Sequence, residues 1–513
     1  MNTAAISSSE KESNIPLFIA LYLTLFLSIA SYTITNMMSP YIVGELGGSN
    51  EISTYTISFF AIGNAMSIPL GAPLANRFGI CRVLVFCLLL FGLFVVISSL
   101  ATSYPFFIAA RFLQGAASGP LYALIFSLFG KVIPKDKADS FTALTITLFA
   151  IVPVLSACFG GWIAYDYSWR WGLYILIPCV LILAAFYLKR LKKEDKRISQ
   201  GPFDWIGFFF YSLAVFSLGF VVITGQQYDW HRSPLIVTFT LIAFLSGIVF
   251  LFLEFASKNP LLNLHLLKKP AFSFALFNLA LLFSAYFGMI ILLSLWLTLD
   301  ANYTPTWIGL LLGTMVVSGI FPTFLIRERY RLTKIDSRLF LGIAIIFFAI
   351  SCFHTTIFDV DIDFGRIAFS RAIAGFGLAF FLPPLFRLSF NSFPEEQKVS
   401  VMGLFQVVRA LSSGLGVAFY TTLWQRRQVF YHDRMGEELT VFSNETKEFF
   451  IKAREFGIEG KKAAAKLNYY LDRRSFSLSL DDCFYLMAWI MVGLFVLLLL
   501  SFLFKKEEKN KEG

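Results

Sequence analysis

Ala110–Pro120 reads ARFLQGAASGP and Ser370–Phe380 reads SRAIAGFGLAF. Laid over one another at a fixed offset of 260 residues, the two stretches share more than an arginine. Arg111 and Arg371 are each followed by glycine, Gly115 and Gly375, and farther on by proline, Pro134 and Pro394. Ser140 falls on Ser400 at the same offset. The chain therefore contains an internal repeat, and its length fixes how the remainder divides.

The setting of the repeat is apolar. Hydrophobic residues make up 57% of the chain and charged residues 15%, with a mean hydropathy of +0.70. Such a composition belongs to a membrane protein. Apolar stretches of about 20 residues, the length that crosses a bilayer core, recur along the chain. Lipid leaves an open backbone no partner, so each must be a helix. Fourteen are expected, the first near 15–38 and the last near 481–504, with the two copies of the repeat in the fourth and twelfth. The first reads as a retained helix rather than a signal peptide, since it lacks a basic leader and a small-residue cleavage site. A repeat eight spans apart implies six plus two plus six. The division is a tail at 1–14, an N-terminal six-helix bundle at 15–190, two inserted helices at 203–256, and a C-terminal six-helix bundle at 271–504. The last contains a polar loop at 425–480, whose stretch from Asn444 through Leu471 reads as one or two amphipathic helices, and a basic tail follows at 505–513. Repeats of this kind let secondary transporters open a central site to either side in turn.

Lys and Arg collect in alternate loops: Arg77 and Arg82; Lys131, Lys135 and Lys137; Lys189 to Arg197; Lys268 and Lys269; Arg327 to Arg338. The positive-inside rule puts these loops, and both termini, in the cytoplasm. Most of the net charge of +10 is this asymmetry, with contact to anionic lipid as a further contribution left open, and it calls for no nucleic acid. Cys81, Cys87, Cys158, Cys179, Cys352 and Cys483 are scattered, without metal-ligand or disulfide spacing. His231, His265, His354 and His432 lie in loops or at span edges without a nucleophile beside them, and no phosphate-binding loop is present. No cofactor, metal site or enzyme activity is expected.

Several stretches resemble the major facilitator superfamily, in particular its fourteen-span drug/proton antiporter branch of the EmrB/QacA type. GAPLANRFGICR is similar to the signature between spans two and three at Gly71, Arg77, Gly79 and Arg82, with Asn76 where the pattern has aspartate. RFLQGAASG matches the span-four signature at Arg111, Gln114 and Gly115; PVLSACFGG keeps Pro153, Gly160 and Gly161 of the span-five signature, with Ser156-Ala157 in place of its Gly-Pro. In ASYTITNMMSP, Ala30–Pro40, the residues Thr33, Ile34, Asn36 and Pro40 agree with the family's first span, but Ser31 stands where it carries an acid. The resemblance implies a proton-coupled exporter, and a periplasmic adaptor as partner. Serine cannot titrate, so another acid would have to carry the proton; Asp300, Glu45 and Glu51 are the candidates.

Thr24, Ser28, Ser31 and Thr35 share one helical face, which either lines a path or bonds neighbouring helices. Arg111, Arg371 and Arg409 fall inside spans, at about 2.5–3.5 kcal/mol each if unpartnered, and no acid sits clearly at mid-membrane. Pathway candidates are Ser31, Thr35, Asn36, Arg111, Gln114, Tyr122 and Gln406. Gly115, Gly119, Gly160, Gly161, Gly375 and Gly377 read as close-packing positions, and Pro153 and Pro383 as bends. The expected function is alternating-access transport of a small molecule across the cell inner membrane. Two alternatives stay open: a carrier of anions, siderophores or metabolites without conventional proton coupling, and a receptor or scaffold that does not transport.

Overall fold

The computed structural model describes residues 15–132, 138–191, 203–257, 260–332, 336–358, 361–390, 393–394, 397–440 and 442–511. The tail 1–14, Pro134, Lys135, Lys137 and the basic run Lys192 to Arg197 lie outside the described residues.

Among the described residues every regular element is helical. α1 (Ile15–Thr33) and α2 (Thr35–Leu46) form a column interrupted at Ile34. α3 (Tyr55–Ser67) and α4 (Gly71–Phe78) flank a 3-10 turn at Ile68–Leu70. α5 (Ile80–Ser99), α6 (Tyr104–Val132) and α7 (Ala138–Asp166) follow, then α8 (Trp169–Tyr174) and α9 (Leu176–Leu191). Next come α10 (Trp205–Thr224), α11 (Pro234–Ala256), α12 (Pro270–Leu299), α13 (Pro305–Leu332) and α14 (Ser337–Thr355). The chain ends with α15 (Phe364–Ala379), α16 (Leu382–Phe390), α17 (Lys398–Glu438), α18 (Asn444–Glu455) and α19 (Lys461–Lys511).

Local chemistry sets the helix starts. Pro234 and Pro270 open α11 and α12, where a missing N–H is no loss. Carboxylates of Asp204, Asp336 and Asp363 accept the Gly207, Arg338 and Arg366 amides at 2.8, 3.1 and 3.2 Å, capping α10, α14 and α15. The helix interrupted at Phe380–Phe381 resumes with Pro383 and Pro384 in its first turn, a position proline tolerates.

Twelve helices among the described residues are long and apolar enough to cross a bilayer. Two shorter apolar runs, Ile151–Asp166 in α7 and Pro305–Ile320 in α13, occupy the places of two further spans expected from the sequence. Of the amphipathic helices expected between Asn444 and Leu471, α18 is one; the rest of that stretch is not a separate helix but the start of α19, which runs unbroken for 51 residues into the last span, as α17 runs for 41 residues out of the span before it. At about 1.5 Å per residue both outreach an apolar core of about 30 Å, so they project as a hairpin. Trp424 Nε1 donates to the Phe476 carbonyl at 3.1 Å, and Arg427 pairs with Asp482, zipping its base.

Close backbone approach builds both halves the same way. A Cβ at Gly115 in α6 would collide with the Phe60 carbonyl of α3, and one at Gly63 with the Phe112 carbonyl. In the second half, a Cβ at Gly375 in α15 would collide with the Met315 carbonyl of α13, and one at Gly319 would lie 2.8 Å from the Gly375 carbonyl. Gly119 meets Asn64 and Ser67, Gly160 meets Ile34, Gly161 meets Met37 and Pro305, and Gly377 meets Phe347. These positions pack helices, as small residues do in lipid. α10 and α11 are peripheral: 17% of the apolar window of α11 is buried, against 78% for α12. α10 is nonetheless tied to α3, where Tyr211 Oη donates to the Ala65 carbonyl at 2.9 Å.

Gly375→Ala is expected to lower stability by about 1–3 kcal/mol, because a carbonyl cannot yield as a side chain does. Gly403→Ala in α17, where a Cβ meets nothing within 4 Å, is expected to be neutral or stabilising. Thermal unfolding in detergent separates the two; equal melting temperatures would contradict the packing argument.

Candidate functional site

α6 carries Arg111 against the point where α1 gives way to α2. The side chain is fully buried. One terminal nitrogen donates to the Ser31 carbonyl at 2.9 Å, the Tyr32 carbonyl at 3.4 Å and Thr35 Oγ1 at 3.2 Å; the other donates to Gln114 Oε1 at 2.8 Å. Gln114 Nε2 in turn donates to Ser31 Oγ at 2.7 Å. Ser31 is therefore a hydroxyl acceptor in a network whose one charge is the Arg111 guanidinium. Phe60 underlies the guanidinium, 4.6 Å from its ring centroid, a cation–π geometry.

On the same polar face the Thr24 hydroxyl lies 2.8 Å from that of Tyr187 in α9, whereas Ser28 donates to the Thr24 carbonyl of its own helix at 3.0 Å; off that face, the hydroxyls of Thr33 and Ser156 lie 2.6 Å apart. Asn36 is buried, as is Tyr122. Arg371, at the repeat position of Arg111, does not copy its contacts: its guanidinium donates to hydroxyls of Ser351, Thr355 and Ser370 rather than to carbonyls.

Arg409 joins the halves. It rises from α17, gives its Nε proton to Gln406 Oε1 at 2.6 Å, and sits 4.6 Å from the Phe149 ring, 5.1 Å from Tyr122 and 5.9 Å from Phe283. Phe149 and Tyr122 belong to the first half, Phe283 to the second. Tyr32 packs on Phe60 at 5.5 Å and on Phe287 at 5.4 Å, continuing the aromatic wall between α1, α3 and α12. Among the described residues no carboxylate forms an ion pair with Arg111, Arg371 or Arg409.

The candidate proton carriers are elsewhere. Glu45 ends α2 and binds Arg170 and Trp169, with Trp169 Nε1 donating at 2.6 Å. Asp300 ends α12; Arg473 Nε donates to one carboxylate oxygen at 3.0 Å and Ser477 Oγ to the other at 2.9 Å. Glu51 is exposed, and its carbonyl accepts from Gln425 Nε2 at 2.9 Å. All three lie on one rim, with the loops that follow α2, α5 and α12. Partial burial works to raise the Glu45 carboxyl, but hydrogen bonds from Arg170 and Trp169 and the arginine's charge outweigh it and hold the carboxyl below its ordinary range.

In the motif between spans two and three, Gly71 approaches α6, where a Cβ would stand 2.9 Å from the Pro120 carbonyl. Gly79 takes φ 97°, a turn that favours glycine, between α4 and α5. Arg77 is exposed beside the Phe78 ring, and Asn76 and Arg82 are both engaged with neighbours. The structure brings together Ser31, Thr35, Arg111 and Gln114 in one network and Tyr122 and Gln406 in another around Arg409. Sequence reasoning missed Phe60, Phe149, Phe283 and Phe287, which sixty phenylalanines conceal.

A family profile described as Major Facilitator Superfamily matches residues 21–417. The chain is 28% identical over 485 residues to "Multidrug export protein EmrB" of Haemophilus influenzae, covering 94% of each. It is 29% identical over 467 residues to "Fatty acid resistance protein FarB" of Neisseria gonorrhoeae, covering 91% of this chain and 92% of that one. Among solved structures, a POT family transporter in complex with 5-aminolevulinic acid superposes with a TM-score of 0.64 at 11% identity, covering 94% of this chain and 95% of that one. A bacterial homolog of the human lysosomal transporter Spinster superposes with a TM-score of 0.61 at 13% identity, covering 97% and 98%. Both structures share the fold.

Arg111→Ala strips partners from a buried network and is expected to cost about 1–3 kcal/mol of stability. Arg111→Lys keeps the charge but not the two-pronged geometry and should fall between wild type and alanine, both in melting temperature and in flux. At Glu45 the depressed carboxyl contributes stability above the ordinary value of about 4.3, and that contribution is lost as the pH falls through the lower folded-state value. Thermal unfolding from pH 7 to pH 3 should therefore show a small acid-dependent loss that Glu45→Gln removes; an unchanged profile would contradict the pairing.

Proposed function

The chain belongs to the Major Facilitator Superfamily, a family of transporters rather than enzymes, and on that premise we propose that it exports amphipathic small molecules by alternating access. The observation that carries this reading is the repeated glycine-on-carbonyl packing of α3 with α6 and α13 with α15, two matched bodies with Arg409 held between their aromatic walls. Two relatives are named for multidrug export and fatty acid resistance, which favours efflux of amphiphiles.

In this reading the bundles 15–190 and 271–504 rock about the substrate, and the pair 203–256 rides outside. The membrane spans number fourteen in this reading, the twelve that are long and apolar enough together with α7 and α13, whose apolar runs are shorter. Both termini face the cytoplasm of a cell inner membrane, following the basic loops. The hairpin of α17 and α19 then stands on the extracytoplasmic side, where it offers a surface to a periplasmic adaptor. Proton antiport is the energy source by resemblance, with Asp300 the most buried of the candidate acids. A second reading, an anion carrier without conventional proton coupling, is favoured by one feature: Ser31 in place of the acid, inside a network of arginine and amide.

The test is substrate-panel flux in sealed inside-out vesicles, with and without an imposed pH gradient, with Arg111→Ala as control. Gradient-driven uptake is the expected result. Gradient-independent equilibration of an anion would establish the second reading, and specific binding without flux would make the protein a receptor.

A further inference from the structure

We propose that the groove between α17 and α19, where the hairpin leaves the membrane, is a binding site for one zwitterionic phospholipid, whose phosphate and primary ammonium meet Arg427 and Asp482. The site lies outside the central networks and does not depend on what the protein carries.

Leu423 and Arg427 stand one turn apart on α17, and Asp482, Tyr485, Leu486 and Trp489 follow one another along a single face of α19. Together these six line a groove of about 440 Å³. Between them, Cys483, Phe484 and Met487 are buried, so α19 gives one face to its neighbouring helices and the other to the groove. The two ends of the groove differ in chemistry. Arg427 and Asp482 bound the apolar runs of their helices, at the level where lipid gives way to water. Trp489 lies about 10 Å farther in along α19. The exposed rings of Tyr485 and Trp489 are 6.1 Å apart, and Phe353 of α14 stands 6.1 Å from each. A polar mouth thus opens onto an aromatic and aliphatic floor.

The charges at the mouth decide the headgroup. Arg427 donates from Nε to Asp482 and from Nη2 to the Tyr431 hydroxyl at 3.2 Å, while Nη1 makes no hydrogen bond among the described residues. The two side chains keep 35% and 31% of their surface, so the mouth presents a fixed positive pole beside a fixed negative one. A phosphate accepts from Nη1, and an ammonium donates to the carboxylate beside ring faces that favour cations. An anionic lipid would satisfy the arginine but set its negative charge against Asp482 without return. A trimethylammonium group has no proton to give the carboxylate. A soluble headgroup would leave Leu423, Leu486 and the rings uncovered, whereas acyl chains cover them at the depth where such rings meet lipid. The bound lipid bridges α17 and α19 at the base of the hairpin.

The full chain in detergent is titrated with phosphatidylethanolamine, phosphatidylcholine and phosphatidylglycerol of identical acyl chains, and bound lipid is counted by native mass spectrometry. Wild type is expected to hold one phosphatidylethanolamine about fivefold or more tighter than either of the others. Asp482→Asn should erase that preference, and Arg427→Gln should weaken phosphatidylethanolamine by at least as much. Both substitutions also cut the ion pair at the hairpin base. Leu486→Trp fills the groove and leaves the pair intact; it should lose the same lipid, and it carries the test if the other two do not fold. Arg366→Gln, which breaks the exposed Arg366–Asp363 pair, is the control and should change nothing. Equal affinities in wild type, tighter binding of phosphatidylglycerol, or a preference that survives Leu486→Trp would each overturn the proposal. Full competition by glycerophosphoethanolamine, which has no acyl chains, would overturn it as well.

Discussion

Helices in lipid gain nothing from hiding hydrocarbon, so how near two backbones can come decides what else is possible. The contact between Gly115 and the Phe60 carbonyl is that constraint in this protein. It draws α3 against α6 closely enough for the Phe60 ring to lie beneath Arg111. Arg111 in turn reaches the Ser31 and Tyr32 carbonyls where α1 is interrupted, so one missing side chain fixes three helices around a buried charge. The second half repeats the backbone contact at Gly375 but spends it differently, with Arg371 turned toward hydroxyls of α14. Pseudo-symmetry here belongs to the frame and not to the polar interior.

That interior is cationic and donor-rich. Three arginines stand within the membrane helices without a carboxylate partner among the described residues, while Glu45 and Asp300 are committed to Arg170 and Arg473 at the rim. Carbonyls, amides, hydroxyls and rings do the solvation instead. Such a lining can hold positive charge in place without neutralising it, which leaves one positive centre inside each half, at Arg111 and Arg371, and a third between them at Arg409.

Hydropathy and the offset between Arg111 and Arg371 made the helical class and the two-fold plan legible in the sequence, because membrane spans must be apolar and a duplicated frame keeps its glycines. Ser31, Thr35, Arg111 and Gln114 could be put on one site from helical spacing and the signature around Arg111. The aromatic wall could not: what sets Phe149 and Phe283 apart from lipid-facing phenylalanines is Arg409, more than a hundred residues away from either. The shape of 425–480 was equally hidden, since charge told where lipid ends but not that α17 and α19 continue through the boundary as helices.

That continuity has a mechanical meaning. From Gln425 to Glu438, α17 extends about 20 Å past its apolar part, on the same rigid rod that carries Arg409 into the centre. Gln425 also touches the Glu51 carbonyl of the opposite half, and Arg426 the loop before α11, at the foot of the projection. Any pivoting of α17 about that foot is magnified at the tip, and the same pivot shifts the guanidinium below. In the alternating-access cycle proposed above, the hairpin would serve as a lever whose far end follows the position of the buried Arg409 charge.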